Sequence, residues 1–273
     1  MSSSPPQPGL SVARTERVRG ARKIEIFDQV IEEIPVALLY NGASHAVMMA
    51  TPCDLEDFAL GFSLSEGIVE RAEEFELVDC LRGERGISLH MLIPHARFAA
   101  LQARRRNLTG RSGCGLCGVE ALMEAVRPVP RVHSDVRIES ALIERGLREL
   151  AQCQPLNERS GGVHAAAYAH ANAILVREDV GRHNALDKLI GALARDAGGA
   201  SAAWRAQTGF LAITSRASYE IVHKAATAGM ALVAAISAPT SSAIKLAEEA
   251  GITLIAFARA NAMNVYTHPQ RLI

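Results

Sequence analysis

The second half of the chain carries an alternation that leaves few folds open. Apolar runs at 171–177, 209–214, 231–236 and 252–257 are separated by stretches of helical periodicity at 184–196, 218–228 and 241–250. A further helix fits 138–152, ended by Pro155. Strand, helix, strand, helix, strand predicts an α/β fold: a mostly parallel sheet with helices on both faces, since a parallel neighbour is reached only by a crossover. In such a sheet ligands bind beyond the carboxyl ends of the strands. Those ends lead here into Glu178-Asp-Val-Gly-Arg-His-Asn184, Ser215-Arg-Ala-Ser218, Ser237-Ala-Pro-Thr-Ser241 and Ala258-Arg-Ala-Asn-Ala262, segments rich in small and polar residues.

The first half reads as a smaller α+β domain over residues 21–134, followed by the α/β domain over 135–273. Strands are expected at 23–27, 30–39, 45–50, 76–81 and 86–93, the third after an Asn41-Gly42 turn. Asp54 is placed to cap a helix through Leu55, Phe58, Ala59 and Phe62, and 94–105 is a second helix. Residues 1–20 are rich in Ser, Pro and Arg and are expected to be a disordered tail without the apolar centre of a secretory signal.

Composition narrows the function. Lys plus Arg number 29 and Asp plus Glu 29, so a globally basic nucleic-acid binder is not expected. Aromatics at 4% leave few platforms for stacking bases. No apolar run approaches the roughly 18 residues that span a bilayer, and a cytoplasmic protein with neither membrane nor nucleic-acid partner is the expectation. The five cysteines, Cys53, Cys80, Cys114, Cys117 and Cys153, are odd in number and sparse, which makes a poor disulfide framework.

Chemistry concentrates in the segment from Arg104 to Val126. Cys114 and Cys117 form a Cys-x-x-Cys among Gly110, Gly113, Gly115 and Gly118. Val119, Leu122, Met123 and Val126 then share one helical face, which puts Cys117 at or just before a helix N-terminus. Arg104, Arg105, Arg106 and Arg111 add positive potential, and both effects favour the thiolate, the nucleophilic form. A zinc site needs two further ligands, which the neighbouring sequence does not supply, so no resident metal is expected. An incidental buried pair is the plain alternative; a mobile nucleophilic thiolate fits the surroundings best.

Five segments in order carry a family resemblance: Gly113-Cys-Gly-Leu-Cys-Gly118, Ser160-Gly-Gly-Val-His-Ala-Ala166, Glu178-Asp-Val-Gly-Arg-His-Asn-Ala-Leu-Asp-Lys188, Thr214-Ser-Arg-Ala-Ser-Tyr-Glu220 and Asn264-Val-Tyr-Thr267. Over roughly residues 22–270 the chain resembles the FdhD family of formate dehydrogenase accessory sulfur carriers. The resemblance implies a sulfurtransferase that receives persulfide sulfur from a cysteine desulfurase. It passes that sulfur to the molybdenum cofactor, in its bis(molybdopterin guanine dinucleotide) form, before insertion into the catalytic subunit of formate dehydrogenase. It assigns the persulfide to Cys114, with Cys117 as second thiol, and cofactor contacts to Phe257, Ala258, Arg259, Ala260, Asn261 and Ala262. It also implies a homodimer and a fold resembling that of cytidine deaminases. The family more often carries glycine at the positions of Ala256 and Ala260, where a positive φ would disfavour alanine.

The residues themselves allow rivals. A zinc-dependent nucleobase deaminase needs His-x-Glu and Pro-Cys-x-x-Cys; this chain has His164-Ala-Ala and Gly113 before its first cysteine, so the proton-shuttling carboxylate is missing. A cofactor-binding chaperone without sulfur transfer would tolerate loss of Cys114, and a thiol–disulfide oxidoreductase would need both cysteines. Arg182 and Arg216 either line the crevice or form surface ion pairs, Arg182 with Glu178 or Asp179 and Arg216 with Glu220. For His164 and His183 a structural role is favoured over a proton shuttle. Asp187 and Lys188 are expected on an exposed helix face, and Cys53, Cys80 and Cys153 as packing residues.

Overall fold

The computed structural model describes residues 8–109, 128–196, 208–259 and 262–273. It contains three sheets. Strands β1 (Leu10–Arg19) and β2 (Arg22–Ile31) form an antiparallel hairpin, which corrects the disordered tail expected over 1–20 where β1 runs; residues 1–7 of that tail lie outside the described residues. Val12, Val18, Ile24, Phe27 and Val30 supply the strand propensity, and Gly20 turns the chain with φ 59°.

The second sheet has the order β4-β3-β6-β5 and comprises β3 (Ile34–Tyr40), β4 (Ala43–Ala50), β5 (Glu76–Gly83) and β6 (Gly86–Leu92). Two hairpins are joined through the parallel pair β3–β6. Its inner face, Val36, Leu38, Tyr40, Ile87, Leu89 and Met91, packs on Phe58, Ala59 and Phe62 of helix α1 (Leu55–Ser65). Helix α2 (His95–Thr109) follows β6. Asp54 does not cap α1 with its side chain; it sits at φ 51° and offers only its backbone carbonyl, to Phe58 N–H at 2.9 Å.

The third sheet has the order β12-β11-β10-β9-β7-β8: β7 (His164–His170), β8 (Ile174–Asp179), β9 (Gly209–Ile213), β10 (Leu232–Ala235), β11 (Thr253–Arg259) and β12 (Ala262–Val265). Only β9–β10 and β10–β11 pair in parallel, while β7–β8, β7–β9 and β11–β12 are antiparallel. The sheet is therefore mixed rather than mostly parallel. Strand β7 escapes sequence reasoning because His164-Ala-Ala-Ala-Tyr-Ala-His170 lacks β-branched residues, and alanine is a weak strand former.

Helices do cover both faces. Alternating strand residues divide the interior: Ala166, Tyr168, Leu211, Ile213, Val233 and Leu254 face α5 (Arg182–Asp196), α6 (Tyr219–Thr227) and α7 (Ser241–Ala250). Ala165, Ala167, Phe210, Ala212, Leu232 and Ile255 face α3 (Ser140–Gln152). Pro155 ends α3 and also occupies the first turn of a short helix, α4 (Pro155–Ser160).

The two lobes meet where α1 crosses α5 on glycines. A Cβ on Gly61 would lie 1.6 Å from the Asp187 carbonyl oxygen, and one on Gly191 would lie 1.9 Å from that of Asp57. Buried ions line the same seam. Lys188 Nζ sits 2.7 Å from Asp179 and 3.0 Å from the Thr51 carbonyl. Lys224 Nζ meets Asp187 at 3.0 Å, Glu66 at 2.8 Å and Ser65 Oγ at 2.9 Å. Asp57 accepts from Arg177 Nε at 2.8 Å and Arg195 Nη1 at 2.7 Å. Asp187 and Lys188 are thus buried, contrary to the exposed face expected for them, because a second helix layer covers that side of α5.

Gly61→Ala or Gly191→Ala must push the two helices apart, and each is expected to cost about 3 kcal/mol or more in denaturant unfolding. Lys188→Met leaves Asp179 as an unpaired buried charge and is expected to cost roughly 3–5 kcal/mol by the same measurement.

Candidate functional site

The carboxyl ends of the strands form one edge, as the topology requires. In sheet order that edge presents Arg259 on β11, Ser237 after β10, Thr214 to Arg216 after β9, His164 at the antiparallel start of β7, and Asp179 to Arg182 after β8. Thr214 joins two of these elements, its Oγ1 accepting from Ala165 N–H at 2.9 Å. The loops after β9 and β10 are tied together: Ala217 N–H donates to the Ala238 carbonyl at 3.2 Å and Thr240 N–H to the Ala217 carbonyl at 3.0 Å. Ser218 and Thr240 then cap α6 and α7, each accepting a backbone N–H with its side chain.

Strand β11 continues this platform through an irregularity. Ile255 and Ala258 both enter the α3-side core and Ala256 enters the opposite one, so strict alternation fails between them. The bulge takes Phe257, which alternation would bury against the α3 side, and leaves it 43% exposed with φ 49°. Its N–H donates to the Ser237 carbonyl at 3.1 Å, which fastens it to the loop after β10. An aromatic residue held left-handed costs of order 1 kcal/mol or more, and such outliers cluster at functional positions. Ala256 is buried and has no positive φ, which falls on Phe257 instead. Arg259 and Ala262 are exposed and pair across the β11–β12 hairpin.

At the other end of the edge, Arg182 and His183 begin α5 and share Glu220 of α6. Arg182 Nη2 lies 3.9 Å from its carboxylate; neither Glu178 nor Asp179 is its partner. His183 Nε2 lies 2.9 Å from Glu220 Oε2 without making a hydrogen bond, and the contact is an ion pair only when the imidazole is protonated. Arg182 Nε is buried without a hydrogen-bond partner among the described residues. Arg216 is exposed and has no ion pair among them, so the alternative of a pair with Glu220 is not realised. Burial first, and the Arg182 guanidinium second, hold the His164 imidazole below its ordinary range. Burial also lowers His183, with Arg182 and Lys224 adding to it and Glu220 opposing.

Most of the long 178–188 motif serves the scaffold. Glu178 accepts Leu156 and Asn157 N–H, both at 2.9 Å, and so caps α4. Asp179 accepts Thr51 N–H at 3.0 Å and Gly181 N–H at 2.7 Å, and Asn184 donates to the Met49 carbonyl at 2.8 Å. The cysteines expected to pack differ: Cys80 and Cys153 are exposed, while Cys53 is half-buried with Lys188 Nζ 3.8 Å from its sulfur. Burial raises the Cys53 thiol despite that ammonium. Cys114, Cys117, Ala260 and Asn261 lie outside the described residues. Among the described residues no group of His, Cys, Asp and Glu is arranged to hold a metal, and no helix is long and apolar enough to cross a membrane.

Both lowered histidines bind protons more weakly in the folded chain than in the unfolded one. Stability therefore falls as pH drops below their ordinary value of about 6.5. Denaturant unfolding at pH 7 and pH 5 is expected to show a smaller difference for His183→Gln than for the wild type.

The comparisons with known proteins converge. The FdhD/NarQ family model matches residues 31–273. The sulfur carrier protein FdhD of Xanthomonas euvesicatoria pv. vesicatoria is 54% identical over 99% of this chain and 95% of its own length. That of Variovorax paradoxus is 50% identical over 100% of this chain and 97% of its own. Among solved structures, one described as a formate dehydrogenase accessory protein from Desulfotalea psychrophila superposes with a TM-score of 0.72 at 24% identity. It covers 97% of this chain and is itself covered completely, so the fold is shared. The residue pattern, the architecture and the end-to-end identity agree: this chain belongs to the FdhD/NarQ family.

Proposed function

We propose that this protein is a sulfur carrier serving formate dehydrogenase, a sulfurtransferase that holds sulfur as a persulfide on Cys114. The observation that carries the reading is the Gly113-Cys-Gly-Leu-Cys-Gly118 segment in a chain similar over nearly its whole length to proteins named as sulfur carriers. A cysteine desulfurase is the donor. Cys114 thiolate attacks the terminal sulfur of the donor's persulfide; a new S–S bond forms, the old one breaks, and the donor cysteine leaves as thiolate. Arginines at 104, 105, 106 and 111 favour the attacking anion.

The acceptor is the molybdenum cofactor in its bis(molybdopterin guanine dinucleotide) form, bound transiently as substrate. Release of the sulfur as hydrosulfide needs two electrons. Cys117 supplies them when its thiolate attacks Cys114 Sγ, which leaves a Cys114–Cys117 disulfide for a cellular thiol to reopen. The segment from Phe257 to Ala262 is the reading's cofactor contact. The exposed Phe257 ring and the exposed Arg259 guanidinium offer a planar face and a charged fork to a ligand built of rings and phosphates. Arg216, exposed on the neighbouring loop and without an ion pair among the described residues, is a further donor along the same edge.

Intact-protein mass spectrometry after incubation with a cysteine desulfurase and cysteine tests the first transfer. A gain of one sulfur is expected on the wild type and none on Cys114→Ala, with unfolding midpoints unchanged. A gain on neither protein would instead favour a cofactor-binding chaperone.

A further inference from the structure

The β1–β2 hairpin stands apart from the machinery above, and residues 10–30 lie ahead of the segment that the family model matches. Its base is held: Leu10 is buried, Glu32 N–H donates to the Gly9 carbonyl at 2.8 Å, and β2 touches α4. Beyond the base, apolar side chains are exposed on both faces. Val12 (64%), Val18 and Phe27 (72%) lie on one face, and Ile24 and Val30 on the other. A two-stranded hairpin is marginal by itself in water. Here its register runs unbroken over ten pairs, and among the described residues no third strand covers either edge. A long, regular open edge is a template for another strand.

The sequence of β1 identifies that strand. The Gly9–Glu32 bond sets the phase of the ladder: odd-numbered residues of β1 bond to β2, and the backbone groups of Val12, Arg14, Glu16 and Val18 point to the free edge. A second β1, run antiparallel about a twofold axis at Thr15, pairs those four with one another. Val12 then faces Val18 and Arg14 faces Glu16, each twice. Moving the axis one residue, to Arg14 or to Glu16, sets identical charges against each other. Within the hairpin Glu16 directly opposes Glu25, an unfavourable like-charge pair relieved only diagonally, by Lys23 at 3.3 Å from Glu16 and by Arg14, which is ion-paired with Glu25. Arg14 of a second copy would stand beside Glu16 on its open side.

We propose that β1 pairs edge to edge with β1 of a second copy of this chain, antiparallel and centred on Thr15, to give an intermolecular sheet of order β2-β1-β1-β2. The surface is independent of the sulfur chemistry and gives the family's expected homodimer a specific seam.

The test uses the full-length chain. At the twofold axis Thr15 meets its own copy at about 4.5 Å between Cα atoms, within disulfide reach. Arg17 lies roughly 13 Å from its own copy, four residues of rise away. Under a mild oxidant, Thr15→Cys is expected to give a reducible covalent dimer well above the wild-type background, and Arg17→Cys is not. Glu16→Arg makes the directly opposed pair with Glu25 attractive in its own hairpin but faces Arg14 of the second copy. By sedimentation under reducing conditions it should self-associate about tenfold more weakly or worse than the wild type. A monomeric wild type overturns the proposal. So does a dimer in which Thr15→Cys cross-links no better than Arg17→Cys, or one that Glu16→Arg leaves intact. Sulfur loading of Cys114 is read separately, so its failure would leave this result standing.

Discussion

The close crossing of α1 and α5 sets the geometry of the rest of the molecule. Gly61 and Gly191 each sit against a carbonyl of the opposite helix, at separations that no Cβ could share. That approach brings Lys188 under Thr51 and sets Asp57 between Arg177 and Arg195. Lys224 of α6 closes the row on Asp187, Ser65 and Glu66. Burying charge is costly unless each ion is paired and hydrogen-bonded, and here each one is. An ion network of this kind admits one arrangement of the lobes, so the four-stranded sheet and the six-stranded sheet are held as one scaffold.

The candidate site inherits its rigidity from that scaffold. Asp179 ends β8, bonds to Lys188 in the seam, and through Gly181 N–H shapes the turn that presents Arg182 and His183. Across the edge, the loops after β9 and β10 hold one another by backbone hydrogen bonds, and Phe257 is fastened to the second of them. An exposed aromatic, exposed arginines and lowered histidines are thereby spread along strand ends whose positions are fixed from beneath. Under the proposed function this surface would meet the planar and anionic parts of an extended ligand, and the sulfur chemistry would fall to the cysteine segment.

Much of this was legible in the residues. Period-two patterns located nine of the twelve described strands, whereas alanine-rich β7 and the four-residue β12 passed unseen and β1 was read as tail. Polar strand-end loops marked the site's edge because topology alone dictates where such loops fall. The Glu178-to-Lys188 motif announced importance but not its kind. Nothing local distinguishes a lysine that faces solvent from one that meets a segment more than a hundred positions away, and Lys188, bonded to the Thr51 carbonyl, proved to be the latter. Phe257 was singled out by resemblance, whereas its extrusion follows from a bulge that strand alternation does not encode.

By itself the sequence determined that the second half forms a sheet with helices on both faces, at which edge of that sheet the polar strand-end loops gather, and to which family the chain belongs. The tertiary structure decided the antiparallel direction of β7, the burial of Asp187 and Lys188, the shared use of Glu220 by Arg182 and His183, and the outward turn of Phe257. Periodicity records which side of an element is apolar, a property of neighbouring residues. Which distant element covers that side, and which charge waits there, depends on contacts between residues far apart in the chain.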